Sequence, residues 1–169
     1  MIYLLDANVL ITANNSYYPV EVVPEFWSWL SHMGATGHIK MPRETMEEVQ
    51  DGGDNEDRDP LFAWIQQPEN RSNLLLNEEV DVVLVQQVLE RYAPDLTDDE
   101  IEQIGRDPFL IAYGLSVPAD RWVVSAEVSS PRKQRQNRKV PDVCRDVGVN
   151  CCDTFGMLRA LRFTTRWAP

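Results

Sequence analysis

Histidine is almost absent: the 169 residues hold two, His32 and His38. Six positions apart, one near the expected end of a helix and one at the start of a strand, they do not form a joint acid and base. This argues against metal-free cleavage of RNA through its 2′-hydroxyl, chemistry that commonly relies on positioned histidines. Cysteine is nearly as scarce. Cys144, Cys151 and Cys152 are odd in number and show neither a CxxC nor the Cys/His spacing of a zinc site, so they are expected to be reduced core thiols. No apolar run approaches the ~18 residues of a membrane span. No basic segment precedes a cleavable apolar stretch at the N-terminus. The expectation is a cytoplasmic protein without a membrane partner.

Positive charge is also short. Sixteen Lys and Arg face 27 Asp and Glu, a formal charge of −11. A protein that coats duplex nucleic acid nonspecifically draws its affinity from many Lys and Arg contacts to phosphate, and this composition argues against one. It leaves room for an enzyme that gathers carboxylates around divalent cations, where the metal supplies the positive charge that meets a phosphate. Hydrophobic residues make up 43% of the chain, with five each of Trp, Tyr and Phe. That is ordinary globular composition, and the length suits one domain over residues 1–169.

The patterning alternates strands with helices. Ile2 to Leu5 reads as a buried strand ending at Asp6. Phe26, Trp29, Leu30 and Met33 follow a helical period that Gly34 is expected to stop, with Trp27 opposite the apolar face and available for an interface. A strand at 38–41 precedes a helix opened by Pro42. Asp51 to Asp57 reads as an acidic loop, 61–65 as a short helix and 74–76 as a brief extended segment. Val80, Val83, Leu84 and Val88 mark a longer helix, and Thr97 to Glu100 has the form of a capping box. Helices after Asp107 and from Pro141 to Val147, strands at 122–125 and 149–151, and a last helix at 153–161 complete the chain. Such alternation calls for a three-layer α/β/α fold with a mostly parallel sheet of about four to five strands.

In such sheets ligands bind beyond the carboxyl ends of the strands, which directs attention to the acids there. Asp6 follows the first strand with Asn8 two residues on, although an Asp in this place also caps a helix. Glu48 lies among eight acids between Glu44 and Asp59, with Glu47 as its competitor; spacing alone does not choose between them. Asp107 before Pro108 has the pattern of a helix start, a sufficient structural reason by itself. Glu127 comes just after the strand at 122–125. Four acids so placed offer the oxygen donors that Mg²⁺ and Mn²⁺ prefer.

Leu5-Asp6-Ala7-Asn8, Pro42 to Glu48, Asp107 to Ala112 and Val123-Val124-Ser125-Ala126-Glu127 resemble, in order, the acidic motifs of PIN-domain proteins. The likeness spans Ile2 to about Leu161. Many PIN-domain proteins are metal-dependent ribonucleases, and many small prokaryotic ones are toxins of toxin–antitoxin pairs. The resemblance therefore implies an Mg²⁺- or Mn²⁺-dependent endoribonuclease with Asp6, Glu48, Asp107 and Glu127 as catalytic and metal-binding residues, supported by Asn8 and Ser125. It further implies an RNA substrate, an antitoxin protein partner and a possible homodimer. Glu127 departs from the aspartate usual in the last motif. With one more methylene it could bind through a water or support the ligands from behind. A subset of small PIN-like proteins has glutamate there, then a basic loop and a helix like Pro141-Asp142-Val143-Cys144.

That basic loop, residues 131–139, carries Arg132, Lys133, Arg135, Arg138 and Lys139 and no acid, leaving the remainder at −16 against −11 for the whole. Beside a carboxylate pocket these cations would grip RNA phosphates. They would alternatively form a disordered solubilising loop or dock an acidic protein segment. Two other functions stay open: an inactive or partner-silenced PIN-like binding module, and, ranked lowest, a phosphatase with Asp6 as nucleophile, a site that usually has a second Asp where this chain has Asn8.

Overall fold

Side chains alternate across a strand, and along β1 (Ile2–Leu5) both faces are apolar. Tyr3 and Leu5 join one buried cluster and Leu4 another, as a central strand of a parallel sheet requires. The computed structural model describes residues 1–51 and 59–168, so the acidic loop read at 51–57 lies, apart from Asp51, outside the described residues. β1 stands between β2 (Ile39–Lys40) and β3 (Arg121–Val124), and β4 (Asn150–Cys152) adds beyond β3. The order is β2-β1-β3-β4 and every pairing is parallel. A parallel bridge between Met41 and Leu75 marks the extended segment expected at 74–76.

One apolar cluster joins the Tyr3 and Leu5 face to α1 (Ala7–Thr12), α2 (Pro24–Ala35), α3 (Arg43–Asp51), α4 (Pro60–Gln66), α5 (Pro68–Leu74) and α10 (Thr154–Ala160). The other joins Leu4 and Val123 to α6 (Val82–Tyr92), α7 (Asp98–Ile104), α8 (Asp107–Ser116) and α9 (Val140–Val147). The three-layer α/β/α fold read from the sequence is therefore present. Among the described residues, no helix is long and apolar enough to cross a membrane.

Three local expectations are corrected. Helix α2 runs through Gly34 to Ala35. The glycine is there for close packing: a Cβ at this position would stand 2.8 Å from the Asn73 carbonyl oxygen in α5. Trp27 is 1% exposed, because α4 covers the second side of α2: its ring meets that of Trp64 at 4.9 Å, and its indole N–H donates to the Tyr18 carbonyl at 2.7 Å. In α6 the buried stripe is Val85, Val88 and Tyr92, whereas Val82 and Val83 are exposed; the apolar pattern is ambiguous where valines are adjacent.

In an open helix, Gly to Ala adds about 1 kcal/mol of stability. Here the backbone of Asn73 blocks the methyl group. Gly34→Ala should lower stability by roughly 1–3 kcal/mol, the usual cost of overpacking. Urea denaturation checks the sign.

Candidate active site at the carboxyl ends of β1 and β3

The strand order reverses direction at β1, so the carboxyl ends of β1 and β3 flank the crevice where open α/β sheets bind ligands. Leu5 pairs with Val124 in register, and the residues that follow, Asp6 and Ser125, emerge side by side. Ser125 Oγ donates to Asp6 Oδ2 at 2.8 Å and Asn8 Nδ2 to the same oxygen at 2.6 Å. Asn8 Oδ1 accepts from the Ala126 N–H at 2.8 Å, tying the start of α1 to the loop after β3. Asp6 stands at the N-cap of α1, yet its side chain accepts no capping bond. Its carboxylate is engaged by the side chains of Ser125 and Asn8 instead.

Asp107 is the first residue within α8 and Arg106 is the cap, one position away from the capping arrangement expected for an Asp-Pro start. Arg106 acts as a staple. Its guanidinium donates to the Glu44 carbonyl at 2.7 Å and pairs with Glu47 at 3.0 Å and Asp51 at 2.7 Å, holding α3 against the start of α8. Glu47 is thereby occupied. The charge of Glu48, by contrast, raises the pKa of both Asp6 and Asp107. The two glutamates that spacing left equal thus differ in their surroundings, Glu47 in an ion pair with Arg106 and Glu48 felt by Asp6 and Asp107.

Glu127 reaches the same field but is engaged: Lys139 Nζ donates to its Oε1 at 2.5 Å and the Val140 N–H to its Oε2 at 2.8 Å. Burial pushes the Asp6 carboxyl up to about 6; Ser125 opposes this by hydrogen bonding, and Glu48 and Glu127 add to it by repulsion. Asp107 is pushed further, up to about 8, by burial first and then by the charges of Asp6, Glu127 and Glu48, with Lys139 pulling the other way. Burial also raises Glu48, against the attraction of Arg106. The charges of Glu48 and Glu127 therefore act on the pair Asp6 and Asp107.

Tyr92 adds a polar group that the sequence reading missed. Its hydroxyl is buried without a hydrogen-bond partner among the described residues, and burial together with Asp107, Glu127 and Asp6 raises its pKa. Nothing in the helical pattern of α6 distinguishes it from a core aromatic. An orphaned buried hydroxyl is costly unless water or a ligand meets it. Among the described residues, no three His, Cys, Asp or Glu side chains are grouped so that they could hold a metal ion. The fit to a hard divalent cation lies in the donor chemistry: mutually repelling carboxylates, two held away from their charged form, beside an unpaired hydroxyl.

The loop at 131–139 is corrected in one of its readings, that of a disordered solubilising loop. It is built into the fold rather than loose, and most of its charge is already matched. Arg135 pairs with Glu100 at 2.6 Å and Asp95 at 2.7 Å, which holds its backbone at a left-handed φ of 53°. Arg138 pairs with Asp146 at 2.5 Å and also donates to the Arg91 carbonyl. Lys139 alone of the five meets a candidate site acid, Glu127, while Arg132 and Lys133 are exposed. Asp142, in the Pro-Asp-Val-Cys helix, accepts from Ser129 Oγ at 2.5 Å and the Ser130 N–H at 2.7 Å and so fixes the wall of the crevice. Cys144 is buried and Cys151 and Cys152 are half-buried, all three with free thiols.

The family model described as a domain of unknown function, DUF4411, matches residues 3–165, and the chain belongs to that family. No curated protein matches it significantly.

Asp107 has a folded pKa near 8 against about 3.8 for a free carboxyl, so the folded state binds the proton more tightly. Its contribution to stability is full below about pH 4 and is lost as pH rises towards 8. Asp107→Asn should therefore stabilise the metal-free protein at pH 8 by a few kcal/mol, at about 1.4 kcal/mol for each pKa unit of the shift, each kcal/mol raising the melting temperature by about 2–4 °C for a chain this size, and leave it nearly unchanged at pH 4. Thermal denaturation at the two pH values checks this.

Proposed function

We propose that this protein is a metal-dependent endoribonuclease of the PIN type, which hydrolyses RNA phosphodiester bonds. The observation that carries the reading is the pair of acids Asp6 and Asp107 near the switch in strand order, both raised in pKa by burial and by the charges of Glu48 and Glu127. The resemblance of the same motifs to PIN-domain proteins supports it. Asp6, Glu48 and Asp107 would hold Mg²⁺ or Mn²⁺. Bound there, the ion lowers the pKa of a water and offsets charge on the phosphate.

The chain's own groups have distinct parts. Ser125 and Asn8 both donate to Asp6 Oδ2, which orients the carboxylate and leaves Oδ1 without a side-chain donor among the described residues. Glu127 holds the Lys139 ammonium at the edge of the carboxylates, a cation for the phosphate backbone. Arg106 keeps α3 in place and so keeps Glu48 near Asp107. A toxin role with an antitoxin partner, and a place in the cytoplasm, follow from the resemblance and belong to the same proposal.

A second reading has its own support. Both oxygens of Glu127 are engaged, and no three of the described acids are grouped so that they could hold a metal ion, as in a binding module without catalysis. The two readings diverge in one assay. Partner-free protein should cut RNA with Mg²⁺ or Mn²⁺ and not with EDTA. Asp6→Asn and Asp107→Asn should lower the rate at least 100-fold, of the order expected when charge stabilisation is removed from a catalytic site. Folded protein that cuts nothing, and binds neither cation by calorimetry, would establish the binding module instead.

A further inference from the structure

Of the fifteen aromatic side chains, only Tyr17 and Phe155 are exposed, at 48% and 37%. They are not scattered. Their rings meet edge to face with centroids 5.1 Å apart, and both line an open cleft of about 530 Å³ that also contains Ser125, Glu127, Asp153 and Thr154. Glu127 is one of the candidate site acids and Ser125 is bonded to another, Asp6, so the cleft adjoins the candidate active site.

The chain places the rings by two local devices. Helix α1 continues into a π-helical segment, Ala13–Tyr17, closed by the Tyr18 N–H donating to the Ala13 carbonyl at 2.7 Å. Tyr18 then turns inward, stacking on Phe26 at 4.5 Å and meeting Phe163 at 5.9 Å, and this anchor leaves Tyr17 outside. Across the cleft, Asp153 caps α10 through the Gly156 N–H at 2.6 Å and sets Phe155 in the first turn. Leaving two large rings in water beside each other is unfavourable for the free protein.

We propose that Tyr17 and Phe155 form a seat for a nucleobase of single-stranded RNA, next to the phosphate presented to the carboxylates. Every base has a π-face, and an edge-to-face pair keeps ring faces open to a third planar group. Volume and charge agree. The cleft lies within the range of small-ligand sites. The exposed carboxylate of Asp153 on its lining disfavours a phosphate and admits an uncharged base. The proposal rests on the nuclease reading for the identity of its ligand, and it adds a contact that selects unpaired over duplex RNA.

The test uses the full chain and a labelled 12-nucleotide single-stranded RNA, with Ca²⁺ in place of Mg²⁺, read by fluorescence anisotropy. A second RNA carries 2-aminopurine, whose emission falls when it stacks. Tyr17→Ala and Phe155→Ala should each weaken binding roughly tenfold, as loss of one stacking contact does, and the quenching of 2-aminopurine should disappear. Because both side chains are exposed, the variants should keep the wild-type melting temperature, and a thermal melt verifies that. Affinity and quenching unchanged in both folded variants would overturn the proposal, as would exposed rings that prove to bind a protein partner and not RNA. The outcome is separable from the nuclease reading. Ring-dependent binding without cleavage in Mg²⁺ would keep the seat and sink the nuclease; cleavage with ring-independent binding would do the reverse.

Discussion

The pairing of Leu5 with Val124 is the constraint on which the site depends. Two parallel strands in register end together, so the residues after them, Asp6 and Ser125, are delivered side by side without any further device. The hydroxyl of Ser125 and the amide of Asn8 then bond the same carboxylate oxygen. A slip of one residue in the β1–β3 register would turn every side chain to the wrong face, and with both faces buried the two apolar clusters resist it. Core and site are thus specified by the same pairing.

Against that order stands an electrostatic cost. Burial and mutual repulsion hold Asp6 and Asp107 above the ordinary carboxylate range, while Arg106 and Lys139 neutralise acids at the edges of the cluster and not at its centre. Perturbed carboxylates of this kind collect at functional sites more often than chance would place them. Tyr92 belongs to the same account, since its hydroxyl is buried and, among the described residues, unpaired where those charges are felt. The proposed divalent cation would relieve both conditions together.

Much of this was legible in the chain because it depends on local pattern. Asp6 could be picked out because it ends an apolar strand, and the capping box at Thr97 and Glu100 forms as its spacing implies. The different surroundings of Glu47 and Glu48 were not legible, because Arg106, which pairs with Glu47, lies 59 residues from it. The same reason explains the basic loop. Arg135 is spent on Asp95 and Glu100, partners 40 and 35 residues distant, and no local rule says that a run of cations will be matched across the fold. Trp27 was misjudged because a helix with one apolar face in sequence can be covered on a second side, here by α4.

The central claim is that the carboxylates form one coupled, charge-starved cluster. It is tested most directly by carbon-detected NMR titration of the aspartate carboxyls in metal-free protein, repeated with saturating Mg²⁺. The account predicts that Asp6 titrates at about 6 and Asp107 at about 8 without metal, and that both fall below the ordinary carboxylate range when the cation is present. Two carboxyls that titrate near 4 in metal-free protein, unmoved by Mg²⁺, would contradict it.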